Sequence, residues 1–315
     1  MNPQTHTSLY RKYRPDSFSE VTGQDHVVKV LESAIANGKP HHAYLFTGSR
    51  GIGKTSIARI FAKALGVEME DIYEIDAASY TGVDNIRSLT ESAMTLPFRS
   101  PYKIYILDEV HMLSKAAFNA FLKGLEEPPS HVIYILATTE LGKLPDTILS
   151  RCEVHTFRTP SVDVLTTVVE SVAKKEGYTV SPEAVKVISL SGDGSFRDTL
   201  GVLQKVLDGS KGKKIEISDV EELIGIPKME LIDRLVDSAL KAEHVSETID
   251  GLRKTNADGK IIYDLYLEKL REKLRNPKIE AGERDRALAL LTKALEEYRH
   301  LRFVDPMMML EVVTN

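Results

Sequence analysis

The sequence predicts an α/β fold built on a P-loop, a parallel sheet with helices on both faces, followed by all-helical segments. Three observations predict it. Short apolar runs alternate with helical patterns as far as residue 157. Two of those runs are almost unbroken by polar residues, the mark of strands buried on both faces. Finally, Gly48-Ser49-Arg50-Gly51-Ile52-Gly53-Lys54-Thr55 stands directly between a strand candidate and a helix candidate.

The elements follow in order. Residues 9–40 are mixed and end at Pro40. Ala43 to Thr47 is a short aromatic and β-branched run met at once by glycine, and reads as a buried strand. Ser56 to Leu65 carries Ile57, Ile60, Phe61 and Leu65 on one helical face. Three further strands are predicted at Ile72 to Ile75, Lys103 to Leu107 and Val132 to Leu136, with helical patterns between them.

After Phe157 the pattern predicts no more strands. Residues 161–208 read as three helices separated by Gly177-Tyr178 and by Ser191 to Gly194, and Gly209 to Lys214 reads as a loop. From Pro227 the chain is helical again. Tyr263, Leu267, Leu270 and Leu274 share a face, Leu288 to Leu295 begins a second stripe, and Met307-Met308-Met309 reads as core packing. Three domains are expected: an α/β domain at 1–159, a small helical domain at 160–226 and a C-terminal helical domain at 227–315.

Composition removes several function classes. No apolar run approaches the about 18 residues needed to span a bilayer, and Met1 to Ser8 lacks the apolar core of a signal peptide. No membrane role is expected, and a cytoplasmic location is. A single cysteine, Cys152, excludes an internal disulfide and a zinc site built from several thiolates, and reads as a small buried residue. At a net charge of −5 the whole chain is no electrostatic footprint for DNA, so DNA contact needs a local patch or an assembly.

The motif residues point to a nucleotide. Gly48, Gly51 and Gly53 let the backbone curl so that successive N–H groups, through Ser49, Arg50, Ile52 and Ser56, face phosphate oxygens. Lys54 brings a compact positive charge to the β- and γ-phosphates, and Thr55 offers a hydroxyl to Mg²⁺. Asp108-Glu109 ends the run Ile104 to Leu107, at the strand edge where open α/β sheets bind ligands. Asp108 stands to hold Mg²⁺, and Glu109 to polarise an attacking water. ATP and Mg²⁺ are the expected cofactors.

Four stretches carry a family resemblance. They are Tyr10-Arg11-Lys12-Tyr13-Arg14-Pro15 with Phe18 and Val21-Thr22-Gly23-Gln24; Asp108-Glu109-Val110-His111-Met112-Leu113-Ser114; Phe118 through Glu126-Glu127-Pro128-Pro129; and Ser150-Arg151-Cys152. Together they resemble the clamp-loader AAA+ ATPases, and most of all the bacterial DNA polymerase III gamma/tau subunits. The likeness runs over nearly the whole chain and weakens after residue 226.

The resemblance implies roles position by position. Tyr10, Arg14, Pro15, Val21 and Thr22 would line the adenine pocket. Thr139 would be the sensor 1 residue, and Arg197, beside Phe196, the sensor 2 residue on the lid helix. Arg151 would be an arginine finger acting on a neighbour's γ-phosphate, which requires an oligomer. Implied partners are copies of itself, delta-like and delta-prime-like subunits, the sliding clamp and primer–template DNA. The resemblance makes residues 160–226 a lid and 227–315 a collar, and places the end of the collar near Asn315, with no tau-type extension.

Two departures stand out. Gamma/tau subunits usually carry a four-cysteine zinc module after the P-loop helix, whereas Leu65-Gly66-Val67-Glu68-Met69-Glu70-Asp71 contains no cysteine, so no zinc is expected. That shorter link resembles replication factor C small subunits. In the segment around Ala78 to Arg87, only Arg87 is basic, with Tyr80 and Thr81 as neutral DNA-contact candidates. Competing readings are a replication factor C-like small subunit, a branch-migration helicase motor, and a non-hydrolysing stator. Intact Lys54, Thr55, Asp108 and Glu109 weigh against the stator.

Overall fold

The computed structural model describes residues 7–255, 257–300 and 304–314. Met1 to His6, where most of the polar N-terminal segment falls, and Asn315 lie outside the described residues. The chain divides into two compact units, Met1–Val164 with Gly194–Arg197, and Leu165–Asp193 with Asp198–Asn315.

The first unit begins with α1 (Leu9–Lys12) and α2 (Asp25–Ala36). Then β1 (Ala43–Thr47), α3 (Lys54–Ala64), β2 (Ile72–Asp76), α4 (Val83–Ala93) and β3 (Lys103–Asp108) follow. It continues through α5 (Lys115–Glu126), β4 (Val132–Thr138), α6 (Asp146–Leu149) and β5 (Glu153–Thr156). The five strands are all parallel, in the order β2-β3-β4-β1-β5.

Strand periodicity explains why both faces need helices. In β1, β3 and β4, alternate residues turn to opposite faces. Tyr44, Phe46, Ile104, Ile106, Ile133 and Ile135 join a core with Val27, Leu31, Ile57 and Phe61 of α2 and α3. Leu45, Tyr105, Leu107, Tyr134 and Leu136 join a second core with Ile86 and Leu89 of α4 and Phe118 and Phe121 of α5. Fully burying such a side chain contributes about 1.5–3 kcal/mol, which accounts for the unbroken apolar runs of β3 and β4.

The strand β5 was not among those the sequence predicts. Its sequence, Glu-Val-His-Thr, is polar at three of four positions, and it pairs with β1 at the edge of the sheet, so it has no apolar run to reveal it.

Asp71 takes a structural place in the short link after α3. It is buried, and its carboxylate accepts N–H bonds from Phe98 at 2.6 Å, Arg99 at 3.0 Å and Ser100 at 3.0 Å. Among the described residues, no helix is long and apolar enough to cross a membrane.

The second unit is helical. It comprises most of α7 (Val162–Lys175), α8 (Pro182–Ser191) and most of α9 (Phe196–Gly209). Then come α10 (Ile217–Ile224), α11 (Met229–Lys241), α12 (Val245–Arg253), α13 (Gly259–Arg275), α14 (Ala281–Glu297) and α15 (Pro306–Thr314). The expectation of no strands after Phe157 is corrected by a small parallel pair, β6 (Thr179–Val180) with β7 (Lys214–Ile215). Two residues per strand are too few for any periodicity to register, and β7 takes over the end of the expected loop.

Two helical expectations shift in detail. Tyr263, Leu267 and Leu270 of α13 are buried as their spacing predicts. On α14 the buried stripe is Ala287, Leu290 and Ala294, which leaves Leu288 and Leu295 exposed. On α15, Met307 and Met309 are buried while Met308 faces outward.

Candidate nucleotide site

The site grows from the C-terminal edge of three neighbouring strands. Register pairs Thr47 with Thr138, and Leu107 with Leu136. The residues that leave β1, β3 and β4 therefore emerge side by side. Gly48 carries on from β1 and donates its N–H to Thr138 O at 3.2 Å.

The loop after β1 is shaped by positive φ at Gly48, Gly51 and Gly53, conformations that a side chain resists. Gly51 is also sterically enclosed: a Cβ there would lie 2.0 Å from Ser195 Oγ. Gly53 caps α3, so the N–H groups of its first turn open onto the loop, a geometry suited to an anion.

Lys54 opens α3 and is 5% exposed. Its Nζ donates to Gly48 O at 2.7 Å and Ser49 O at 2.8 Å. Burial pushes its pKa down, while the Glu109 and Asp108 carboxylates push it up. A buried ammonium held by two carbonyls, inside a nest of N–H groups, fits a polyphosphate.

Thr55 and Asp108 come together as the motif spacing cannot itself show. The Thr55 hydroxyl donates to Asp108 Oδ2 at 2.7 Å, so the two oxygens stand where one small hard cation could take both. Such an ion takes few protein ligands when it also binds water and phosphate. The residues present fit ATP with Mg²⁺.

Glu109 follows with φ 51°, a left-handed conformation uncommon for a residue with a side chain. Its Oε2 accepts the Thr139 hydroxyl at 3.0 Å and lies 3.4 Å from His111 Nδ1. His111 Nδ1 is also 3.0 Å from Thr138 Oγ1, and its Nε2 is 3.5 Å from Glu140 Oε1. The sequence motif assigns His111 no role, yet in the fold it braces the Glu109 carboxylate and the Thr138–Glu140 turn.

The segment that carries Phe196 and Arg197 meets the loop, and Tyr10 of the N-terminal box lies beside that segment. Phe196 donates its N–H to Gly51 O at 3.0 Å. The Arg197 guanidinium lies 5.7 Å from the Tyr10 ring centroid. Burial first, then the neighbouring Arg59 and Arg197, push the Arg14 pKa down. Pro15 and Val21 are partly buried and Thr22 is exposed, while Arg50 projects outward. Buried Gln24, also without an assigned role, donates to Arg158 O at 2.7 Å and accepts from Arg158 N at 3.1 Å, tying the box to the segment after β5.

Other candidates stand apart. Arg151, in the turn that follows α6, pairs with Glu126 at 2.6 Å. Neighbouring Cys152 is partly buried, and burial pushes its thiol up to about 12, far from the range of a reactive thiolate. Tyr80, Thr81 and Arg87 are exposed, and Arg87 pairs with Asp84 at 3.4 Å.

Known proteins resemble the chain at two levels. The family model described as DNA polymerase III, delta subunit, matches residues 23–79 and 67–161. The chain is 38% identical over 277 residues to the DNA polymerase III subunit tau of Bacillus subtilis, covering 81% of this chain and 49% of that one. It is 40% identical over 240 residues to the subunit gamma of Buchnera aphidicola subsp. Schizaphis graminum, covering 70% and 66%. The Escherichia coli subunit tau matches at 38% over 255 residues, covering 74% and 40%. The chain thus spans 40–66% of the length of these relatives.

Among solved structures, the Thermotoga maritima RuvB Holliday junction branch migration motor aligns with a TM-score of 0.59 at 22% identity, covering 93% of this chain and 99% of that one. At that identity the likeness speaks for the fold alone.

Proposed function

The chain belongs to the DNA polymerase III gamma/tau family, and on that premise we propose that it is an ATP-hydrolysing motor subunit of a clamp loader, opening a sliding clamp and loading it onto primed DNA. The observation that carries this reading is the convergence at one strand edge of Lys54, the Thr55–Asp108 pair and the Thr139–Glu109 pair.

The residues divide the work. N–H groups of residues 48–56 and the Lys54 ammonium bind the phosphates. Thr55 and Asp108 hold Mg²⁺, which when bound neutralises charge on the phosphate oxygens. Glu109 orients the attacking water and accepts its proton, with Thr139 and His111 fixing the carboxylate. Tyr10, Arg14, Pro15, Val21 and Thr22 hold the base, and Arg197 with Phe196 closes on the phosphate side. Arg151 reaches the γ-phosphate held by a neighbouring protomer, where charge develops during transfer.

In this reading residues 1–159 bind nucleotide, 160–226 form the lid and 227–315 the collar that holds the assembly together. Delta-like and delta-prime-like subunits complete the ring, in the cytoplasm. Tyr80, Thr81 and Arg87 are candidate DNA contacts.

ATP hydrolysis by the purified chain, alone and with partner subunits, clamp and primer–template DNA, tests the proposal. Strong stimulation by clamp and primed DNA is expected. Hydrolysis indifferent to the clamp would favour a branch-migration type of motor, and an absence of ATP binding would leave a stator.

A further inference from the structure

The Glu126-Glu127-Pro128-Pro129 turn has no part in the nucleotide chemistry above, yet its first residue touches the finger candidate. Glu126 is the last residue of α5, and Glu127 leaves the helix with φ −128° and ψ 63° as the prolines end it. A carboxylate at a helix C-terminus faces the negative end of the macrodipole, so helix stability does not account for an acid there. The contact it makes does. Glu126 Oε1 accepts from Arg151 Nη2 at 2.6 Å.

On its other side, Arg151 Nη1 donates to Thr147 O at 2.8 Å and to Ser150 Oγ at 3.3 Å. A guanidinium has five N–H donors. Three acceptors hold it in orientation and leave donors for an incoming anion. The side chain is 33% exposed, and its partner 49%, so the head is held at the surface rather than sunk beneath it.

The helix that carries Glu126 is itself firmly placed. Ser114 caps α5 by accepting from Ala117 N at 3.1 Å, and Phe118, Phe121 and Leu125 are buried against the sheet. Gly124 lets the helix approach Tyr134, whose hydroxyl would be 3.3 Å from an added Cβ. The helix spans 12 residues, about 18 Å. It starts shortly after the Glu109 turn and ends beside Arg151.

We infer that Glu126 is a positioning residue for Arg151, holding its guanidinium in the orientation that a neighbouring protomer's nucleotide requires. The inference rests on the finger reading of Arg151 given above. Glu126 touches no nucleotide; it removes rotational freedom from a long side chain before the subunits meet, so that less ordering is left to the reaction. A half-exposed pair of this kind contributes little to folding, so its removal leaves the fold standing.

The test is ATP turnover of the assembled loader, with partner subunits, clamp and primer–template DNA, for wild type, Glu126→Ala, Arg151→Ala and the double variant. Glu126→Ala is expected to lower kcat on the order of 10-fold with KM within about twofold. The double variant is expected to match Arg151→Ala alone, because Glu126 acts only through Arg151. Glu126→Gln, which keeps an acceptor oxygen, falls between Glu126→Ala and wild type, and carries the comparison if the alanine variant fails to fold.

Wild-type turnover in Glu126→Ala overturns the inference, as does a double variant in which the two losses multiply. Wild-type turnover in Arg151→Ala instead removes the finger reading itself, a distinguishable failure.

Discussion

The Thr139 hydroxyl donates to Oε2 of Glu109 at 3.0 Å, joining the end of β4 to the turn that leaves β3. Thr138, its neighbour, turns the other way: its hydroxyl is buried, meets His111 and accepts the N–H of Glu140. Of the two threonines, Thr139 is therefore the one that fixes the Glu109 carboxylate. Thr139→Val keeps the shape and removes the donor. Turnover should fall about 10-fold with nucleotide affinity almost unchanged, read as kcat against Kd.

Glu109→Gln keeps size and hydrogen-bonding capacity but cannot accept a proton. Because general-base catalysis contributes about 10²–10⁴-fold, turnover is expected to fall at least 100-fold. Binding of ATP, followed by a fluorescent analogue, should stay within a few-fold. Hydrolysis at the normal rate would remove Glu109 from the mechanism.

Gly51 combines φ +73° with a Cβ position 2.0 Å from Ser195 Oγ. Gly51→Ala must displace the Ser195 segment and adopt a left-handed conformation costing about 1–2 kcal/mol. ATP affinity is expected to drop about 10-fold or more by titration, while thermal unfolding stays cooperative.

Asp71 supplies a prediction about stability. Burial raises its pKa, but bonds from the N–H groups of Arg99, Phe98 and Ser100 outweigh that and hold it at about 2, below its ordinary 3.8. The folded value is the lower one. Its contribution is therefore complete above about pH 4 and lost as pH falls toward 2. Asp71→Asn is expected to cost about 2 kcal/mol at neutral pH in urea unfolding, and to flatten the acid loss between pH 4 and 2.

Much of the sheet was legible because β3 and β4 are buried on both faces and so almost wholly apolar. The P-loop and Asp108-Glu109 were legible because each is contiguous and follows a strand. The remainder lay in long-range pairings that spacing does not encode. Ser195 reaches Gly51 from far along the chain, Gln24 ties to Arg158 across 134 positions, and Glu126 meets Arg151 across 25. The strand β5 was not legible because its edge position needs only alternate burial, and His111 because a histidine beside a carboxylate has many ordinary explanations.

The most direct test of a site completed by a neighbour is a mixing measurement. Loaders are assembled from Arg151→Ala chains, from Glu109→Gln chains, and from an equal mixture, and ATP turnover is measured with clamp and primed DNA. In the mixture, an intact Glu109 site on an Arg151→Ala protomer can receive the intact finger of a Glu109→Gln neighbour. The mixture is expected to turn over well above either variant assembled alone. Turnover in the mixture no greater than the average of the two would contradict a finger acting between protomers.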